Sequence, residues 1–190
     1  IIKTILKGEC LNNLSFEDNK VGRMISMICA VANNGVIGNK NQLPWPHLPS
    51  DMKWFSKQTK GNVIVMGRKT WDSLGLVKPL PNRVNVVVSR RDQITSANAV
   101  IAGNVNQRIL DLQQEYPTRD IFIIGGAQLY RSTMPITKKF YITRIYSDYP
   151  GDTYLDIEVL LEDTEMLHQK AIEASEKHPK HAFQIFQRVT

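Results

Sequence analysis

The stretch Val63-Ile64-Val65-Met66-Gly67-Arg68-Lys69-Thr70-Trp71 decides the fold class. Four apolar residues in a row suit a short strand buried on both faces, and Gly67 then breaks the strand into a polar segment that opens a helix. The same design returns in Ile121-Phe122-Ile123-Ile124, which breaks at Gly125-Gly126 before a helix running to about Thr133. A buried strand that runs directly into a helix is the repeating unit of a parallel sheet, because parallel neighbours need a crossover between them.

Further strands surround these two. Met24 to Ala32 is almost continuously apolar, Val84 to Val88 follows a Pro/Asn turn, and Val100-Ile101-Ala102 is a third short run. Lys139 to Ile145 and Phe183 to Val189 read as late strands. Helices are expected from Ser50 to about Lys57, with Ser50 as N-cap, and from Gly103 to about Glu115. Residues 155–177 leave a choice between an amphipathic helix and a strand with a loop. The alternation gives an α/β domain over residues 24–190, with residues 1–23 as an extension outside the core. Lys7 and Glu9 interrupt the first apolar stretch and no small-residue cleavage site follows it, so it is not read as a leader.

With 190 residues the chain has room for one sizeable core. Lys and Arg outnumber Asp and Glu by 24 to 18, a net charge of +6, but the basic residues are scattered. A bland basic surface therefore outweighs a nucleic-acid platform. Cys29 lies in an apolar run and reads as a buried free thiol, and neither it nor Cys10 belongs to a metal or disulfide pattern, which favours a reducing cytoplasm. No stretch is long enough to cross a membrane as a helix.

The two glycine-broken strand ends are the first chemical signal. Each opens a helix whose unpaired N–H groups can hold a phosphate, and two on one sheet edge suit a dinucleotide's pyrophosphate. Glycine at such turns is also common in α/β proteins that bind nothing there. Neither is a standard motif: Arg68 intrudes on a P-loop reading, and Gly125-Gly126 lacks the third glycine of the dinucleotide fingerprint. Arg68, Lys69 and Arg90 end neighbouring strands and form either a solvated rim or a cluster for a further phosphate, which selects NADP over NAD.

The second signal is Asn34-Gly35-Val36-Ile37-Gly38-Asn39-Lys40-Asn41-Gln42-Leu43-Pro44-Trp45, followed by Leu48-Pro49-Ser50-Asp51. A Gly/Asn-rich loop, prolines around an aromatic residue and one carboxylate at a helix start suit a mobile lid beside an acidic anchor. The prolines and Trp45 stiffen the lid's far end and leave its motion to the portion from Gly35 to Asn41. Asp51 is the only acid between Asn33 and Lys60. It is either a first-turn acid favoured by the helix dipole or a buried partner for a nitrogen heterocycle. Dipole and burial push its pKa in opposite directions. Trp45, Phe55 and Trp71 are core residues or pocket walls, and Arg83 either caps the sheet or binds a carboxylate bidentately. His47, His168, His178 and His181 show no ligand or triad spacing and read as structural or solvated.

Taken together, Met24-Ile25-Ser26-Met27-Ile28-Cys29-Ala30, Gly35-Val36-Ile37-Gly38, Leu43-Pro44-Trp45, Leu48-Pro49-Ser50-Asp51, Met66-Gly67-Arg68-Lys69-Thr70-Trp71, Pro79-Leu80-Pro81-Asn82-Arg83, Ile124-Gly125-Gly126 and Gly151-Asp152-Thr153 resemble bacterial chromosomal-type dihydrofolate reductase in order and spacing. The resemblance implies a mostly parallel central sheet of eight strands, flanking helices and an antiparallel C-terminal hairpin. It resolves residues 155–177 as strand and loop. It also implies a cytoplasmic monomer that reduces 7,8-dihydrofolate to tetrahydrofolate with NADPH and binds antifolates of the trimethoprim kind.

Through the same resemblance, Asp51 binds the pterin and assists its protonation, supported by Thr143, while Ile28 and Ile124 offer carbonyls. Met52, Phe55 and Leu74 flank the aminobenzoyl group, and Arg83 holds a glutamate carboxylate. Leu43 and Trp45 belong to the lid over the nicotinamide, whose backbone Asp152 bonds in the closed state. The family's cofactor contacts fall on Ala30, Ile37, Gly38, Asn39, Gln42, Leu43, Gly67, Lys69, Thr70, Ser89 and Arg90, and on Gly125, Gly126, Ala127, Gln128, Leu129 and Tyr130. Arg68 matches a 2′-phosphate ligand. The chain departs from the family in the longer segment Leu76-Val77-Lys78, in Gln128 where many relatives carry arginine, and in Asn82 where glycine is common.

Two other readings compete. A pyrimidine reductase of riboflavin synthesis shares the architecture, but Asp51 and the Leu43-Pro44-Trp45 lid argue against it. A non-catalytic nucleotide- or RNA-binding protein leaves Asp51 idle.

Overall fold

The computed structural model describes residues 23–90, 94 and 96–189, so the expected extension lies outside the described residues except for Arg23. In chain order the elements are β1 Ile25–Ala32, β2 Val36–Gly38, α1 Pro49–Thr59, β3 Val63–Gly67, α2 Arg68–Ser73, β4 Val84–Val88, β5 Ala99–Ile101 and α3 Val105–Glu115. They continue with β6 Ile121–Ile123, α4 Ala127–Thr133, β7 Lys139–Ile145, β8 Thr153–Tyr154, α5 Ile157–Leu160, β9 Thr164–Ile172 and β10 His181–Arg188.

Eight strands form one sheet in the order β5-β4-β3-β6-β1-β7-β10-β9, and β2 pairs with β8 as a separate ribbon. Every pair from β5 across to β7 is parallel, while β10 runs antiparallel to both β7 and β9. The mostly parallel eight-stranded sheet with an antiparallel final pair is the expected fold class. β6 inserts between β3 and β1, so both glycine-broken ends lie on adjacent strands at one edge of the sheet.

Period-two side-chain alternation divides the core. Met27, Cys29, Val65, Ile123 and Ile142 face a layer holding Ile109 and Leu112 of α3, Leu129 and Tyr130 of α4 and Leu160 of α5. On the other face Ile28, Ile64, Met66 and Phe122 pack against Trp71 of α2 and Trp54 and Phe55 of α1. A continuous apolar run such as β1 is needed because both faces are covered.

Three local readings change. Ser50 does not cap α1. The helix begins at Pro49, whose fixed φ suits the first helical turn, the N-cap is Leu48, and no side chain caps it. Residues 155–177 divide: Asp156 accepts hydrogen bonds from the Glu158 and Val159 N–H groups and nucleates the single turn of α5, and the edge strand β9 follows. β10 begins at His181 rather than Phe183, because His181 already pairs with Ile145.

Candidate active site

Asp51 sits in the first turn of α1 and is 6% exposed, while its neighbour Met52 is 38% exposed, so the helix turns the carboxylate toward the sheet. Thr143, buried in β7, donates its hydroxyl to Asp51 Oδ1 at 2.7 Å. Burial pushes the Asp51 carboxyl above its usual range, against smaller downward pulls from the Thr143 bond and the neighbouring His181. Removal from water therefore outweighs the influences that favour the charged form.

Phe55 lies one turn further along α1. The Arg83 guanidinium stands 5.7 Å from its ring centroid, donates through Nη1 to Thr59 Oγ1 at 3.0 Å and through Nε to the Pro81 carbonyl at 3.1 Å. These bonds tie Arg83 to α1 and to the turn before β4. Asn82 holds φ 59°, the left-handed backbone expected of an asparagine in a glycine's place. Leu74 packs with Ile28 and Trp71 in the core under α1.

Tyr130 of α4 donates its hydroxyl to the Ile28 carbonyl at 2.8 Å, which ties α4 across the sheet to β1. Its phenol is pushed well up by burial, with Cys29 and Asp51 adding to the effect. The buried Cys29 thiol is pushed up to about 12, first by burial and then by Asp51.

The two glycine-broken ends touch: the Gly67 N–H donates to the Gly125 carbonyl at 2.7 Å. Their glycines are not equivalent. Gly125 has φ +110°, and a Cβ there meets the Tyr130 hydroxyl at 3.0 Å. Gly67 and Gly126 adopt φ −74° and −86°, so β3 passes into α2 at Gly67 as expected but through backbone angles open to other residues. Thr70 Oγ1 lies 3.7 Å from where a Cβ on Gly126 projects, so the start of α2 and the start of α4 face one space. With six and seven residues these helices offer the N–H groups of their first turns rather than a large dipole. Ala127 and Leu129 are buried and Gln128 is exposed.

Arg68 is paired along its own helix, with Nε donating to both Asp72 oxygens at 3.1 and 2.9 Å. Lys69 and Arg90 are exposed, and Ser89 at the end of β4 is buried. The Arg68–Asp72 pair is partly solvated, with side chains 39% and 51% exposed, so breaking it costs only about 0.5 kcal/mol.

The lid is more ordered than its composition suggests. Asn39 and Gln42 bridge across a two-residue turn in which Lys40 and Asn41 hold φ 49° and 61°. That turn suits the twist of a two-stranded ribbon. The Lys40 N–H donates to Asp152 Oδ2 at 2.9 Å, and the Asp152 N–H donates to the Gly38 carbonyl at 3.1 Å. A Cβ on Gly151 falls 2.6 Å from Gly38 O and 2.3 Å from Val36 Cγ1, so this approach requires glycine. The portion from Gly35 to Asn41, expected to carry the motion, is therefore a hydrogen-bonded ribbon. Beyond it Leu43 is 51% exposed, and Trp45 is buried edge-on against Tyr149 with an unpartnered indole N–H. Ala30 and Ile37 are half-buried.

Two depressions, of about 460 and 320 Å³, share Arg144 and Glu158 and lie on the opposite face of β7 from Thr143. They hold none of the candidate residues and no buried titratable group. One group that spacing did not mark is His181, fully buried with Nε2 2.8 Å from Ser50 Oγ. The two residues are 131 positions apart, so no local pattern announces the pair.

A parallel sheet with its carboxyl ends broken by glycine, a ribbon lid and, among the described residues, one buried carboxylate define an α/β fold of the reductase class. The dihydrofolate reductase family model matches residues 24–188. The dihydrofolate reductase of Buchnera aphidicola subsp. Acyrthosiphon pisum is 36% identical over 165 residues, 86% of this chain and 99% of that one. That of Bacillus subtilis is 40% identical over 131 residues, 69% of this chain and 74% of its own length. Among solved structures, dihydrofolate reductase from Enterococcus faecalis complexed with NADP(H) and RAB-propyl superposes with a TM-score of 0.75 at 29% identity, covering 87% of this chain and 96% of that one. The chain belongs to the dihydrofolate reductase family.

Proposed function

We propose that the chain reduces 7,8-dihydrofolate to 5,6,7,8-tetrahydrofolate with NADPH, and that Asp51 is the acid on which the reaction depends. The observation that carries this is a carboxylate 6% exposed in the first turn of α1, hydrogen-bonded to Thr143 of β7. The chemistry supplied by bound NADPH is a hydride to the carbon of the pterin C=N bond.

The chain's residues do the rest. Asp51 anchors the donor-rich edge of the pterin and, with its carboxyl pKa raised by burial, directs a proton through water to the ring nitrogen. Thr143 fixes the carboxylate's orientation. The Ile28 carbonyl keeps acceptor capacity beside the Tyr130 bond, and Ile124 presents another carbonyl at the end of β6. Met52, Phe55 and Leu74 wall the aminobenzoyl group, with Arg83 near its carboxylate. Leu43 and Trp45 close over the reacting rings and exclude water.

The cofactor's fit rests on the joined glycine ends, where a side chain on Gly125 strikes Tyr130. The first-turn N–H groups after Gly67 and Gly126 would hold phosphates, with Lys69, Thr70 and Gln128 alongside. Arg68 leaves Asp72 cheaply to meet a 2′-phosphate, with Arg90 as its partner. By the same reading the protein is a cytoplasmic monomer with antifolates as ligands and no nucleic-acid or membrane partner. Scattered basic residues and a lone buried thiol support this, and no described helix is long and apolar enough to cross a membrane.

The test is oxidation of NADPH and of NADH with and without dihydrofolate. Dihydrofolate-dependent turnover favouring NADPH is expected; a folded chain without turnover defeats the assignment. Replacing both Arg68 and Arg90 with alanine should weaken NADPH at least tenfold, about 1.4 kcal/mol, and leave NADH nearly unchanged. Equal losses would remove the phosphate role.

A further inference from the structure

α1 has no side-chain cap, yet its first turn carries the residue whose aim matters most. Two hydrogen bonds from consecutive residues fix that turn to the sheet: Asp51 to Thr143 on β7, and Ser50 to His181 on β10. Phe183 pairs with Thr143 and His181 with Ile145, so Thr143 and His181 lie on adjacent strands with side chains on the same face.

The His181 ring is locked. It is fully buried, lies edge-on to His178 at 5.4 Å and to Phe183 at 5.5 Å, and Phe183 stacks on Trp54 of α1 at 4.9 Å. Its Nδ1 is 2.9 Å from the Pro179 carbonyl, which can only accept. In the neutral ring Nδ1 therefore carries the hydrogen, and Nε2 accepts from the Ser50 hydroxyl.

We propose that Ser50 and His181 form a positioning pair that sets the aim of Asp51 and couples a second buried titratable group to it. This rests on the proposed reductase activity. The pair does not touch substrate; it acts through the first turn of α1. Neutral His181 holds that turn by accepting from Ser50. Protonated His181 places a positive charge behind Asp51 and reverses the Ser50 bond. The ionisable groups facing His181 are Asp51 from α1 and His178 from the segment before β10. β7 contributes Thr143 and Ile145, β9 contributes Ile172, and the nearby Lys180 is turned to Glu173.

Two variants separate holding from charge. Ser50→Ala removes one oxygen at a half-buried position and keeps the imidazole. It should slow hydride transfer about threefold to tenfold, through loss of alignment, without moving the limb of its pH profile set by Asp51 or NADPH affinity. His181→Gln keeps a hydrogen-bonding side chain and removes the charge. It should slow the step similarly and shift the limb set by Asp51 to higher pH, because the neighbouring His181 pulls the Asp51 pKa down. Wild-type rates and profiles in both variants, folded by circular dichroism, overturn the proposal.

A readout independent of turnover is the imidazole ¹⁵N spectrum of the unliganded protein. It should show His181 with Nδ1 protonated and Nε2 bare near neutral pH, and an Nε2 shift in Ser50→Ala. The opposite tautomer overturns the pair even if the enzyme is active. The expected spectrum without turnover would instead count against the reductase reading.

Discussion

The floor and the lid of the cleft each contain one carboxylate, and the two behave oppositely. Asp51 is buried, and desolvation raises its pKa. Asp152 is exposed on the lid side, and its pKa is lowered first by the Lys40 backbone N–H and then by the Thr153 hydroxyl. Thr143 gives Asp51 one hydroxyl donor, and burial still prevails; Asp152 has water as well as its donors. Burial favours the neutral form of the Asp51 carboxyl, whereas the donors around Asp152 favour its charged form.

The largest expected effect separates the two at once. Asp51→Asn should slow hydride transfer at neutral pH by about 10²- to 10⁴-fold, the usual worth of a general acid, with NADPH affinity nearly unchanged. Asp152→Asn should cost less than about tenfold, since it removes one exposed hydrogen bond. Single-turnover kinetics decide the matter, and similar losses would collapse the distinction.

A second test attacks the lid alone. Gly151→Ala forces a methyl group to within 2.6 Å of the Gly38 carbonyl, so the ribbon must part. NADPH dissociation should quicken about tenfold while the core's melting temperature moves by only about 1–2 °C. A matching fall in global stability would show that the ribbon belongs to the core.

The smallest effect has opposite signs for the two acids. Asp51 has a folded-state pKa above its unfolded value, so the native state loses stability as pH rises from 3.8 through the raised value, and the loss then stays constant. Asp51→Asn should therefore raise the melting temperature by about 2–4 °C at pH 7 and not below pH 3. Asp152 has a lowered value, so its contribution is present above 3.8 and disappears as pH falls through that value. Asp152→Asn should lower the melting temperature slightly at pH 7 only. Thermal scans across pH check both signs.

The reading of the sequence succeeded where chemistry is local. β7 and β4 fall on the residues their apolar runs marked, Asn82 takes a glycine's backbone, and Cys29 is buried. It failed where a distant partner decides. Ser50 looked like a helix cap because cap preference is a local rule, but Pro49 starts the helix and His181 claims the hydroxyl. The bond from the Lys40 N–H to Asp152, 112 residues away, follows no local rule of the Gly/Asn-rich lid and was legible only through the family resemblance. The insertion of β6 between β3 and β1, which brings the glycine ends together, has no signature in either segment. For the candidate site, residue types were legible locally, and the meetings of Thr143 with Asp51 and of Asp152 with the lid backbone came through the family resemblance, whereas that of Ser50 with His181 did not.

The 2.7 Å bond from the Gly67 N–H to the Gly125 carbonyl joins two crossover units through main chain alone. No side chain serves as the ruler for that gap. Substitutions of the exposed side chains Lys69 or Gln128 beside it therefore leave that main-chain junction in place.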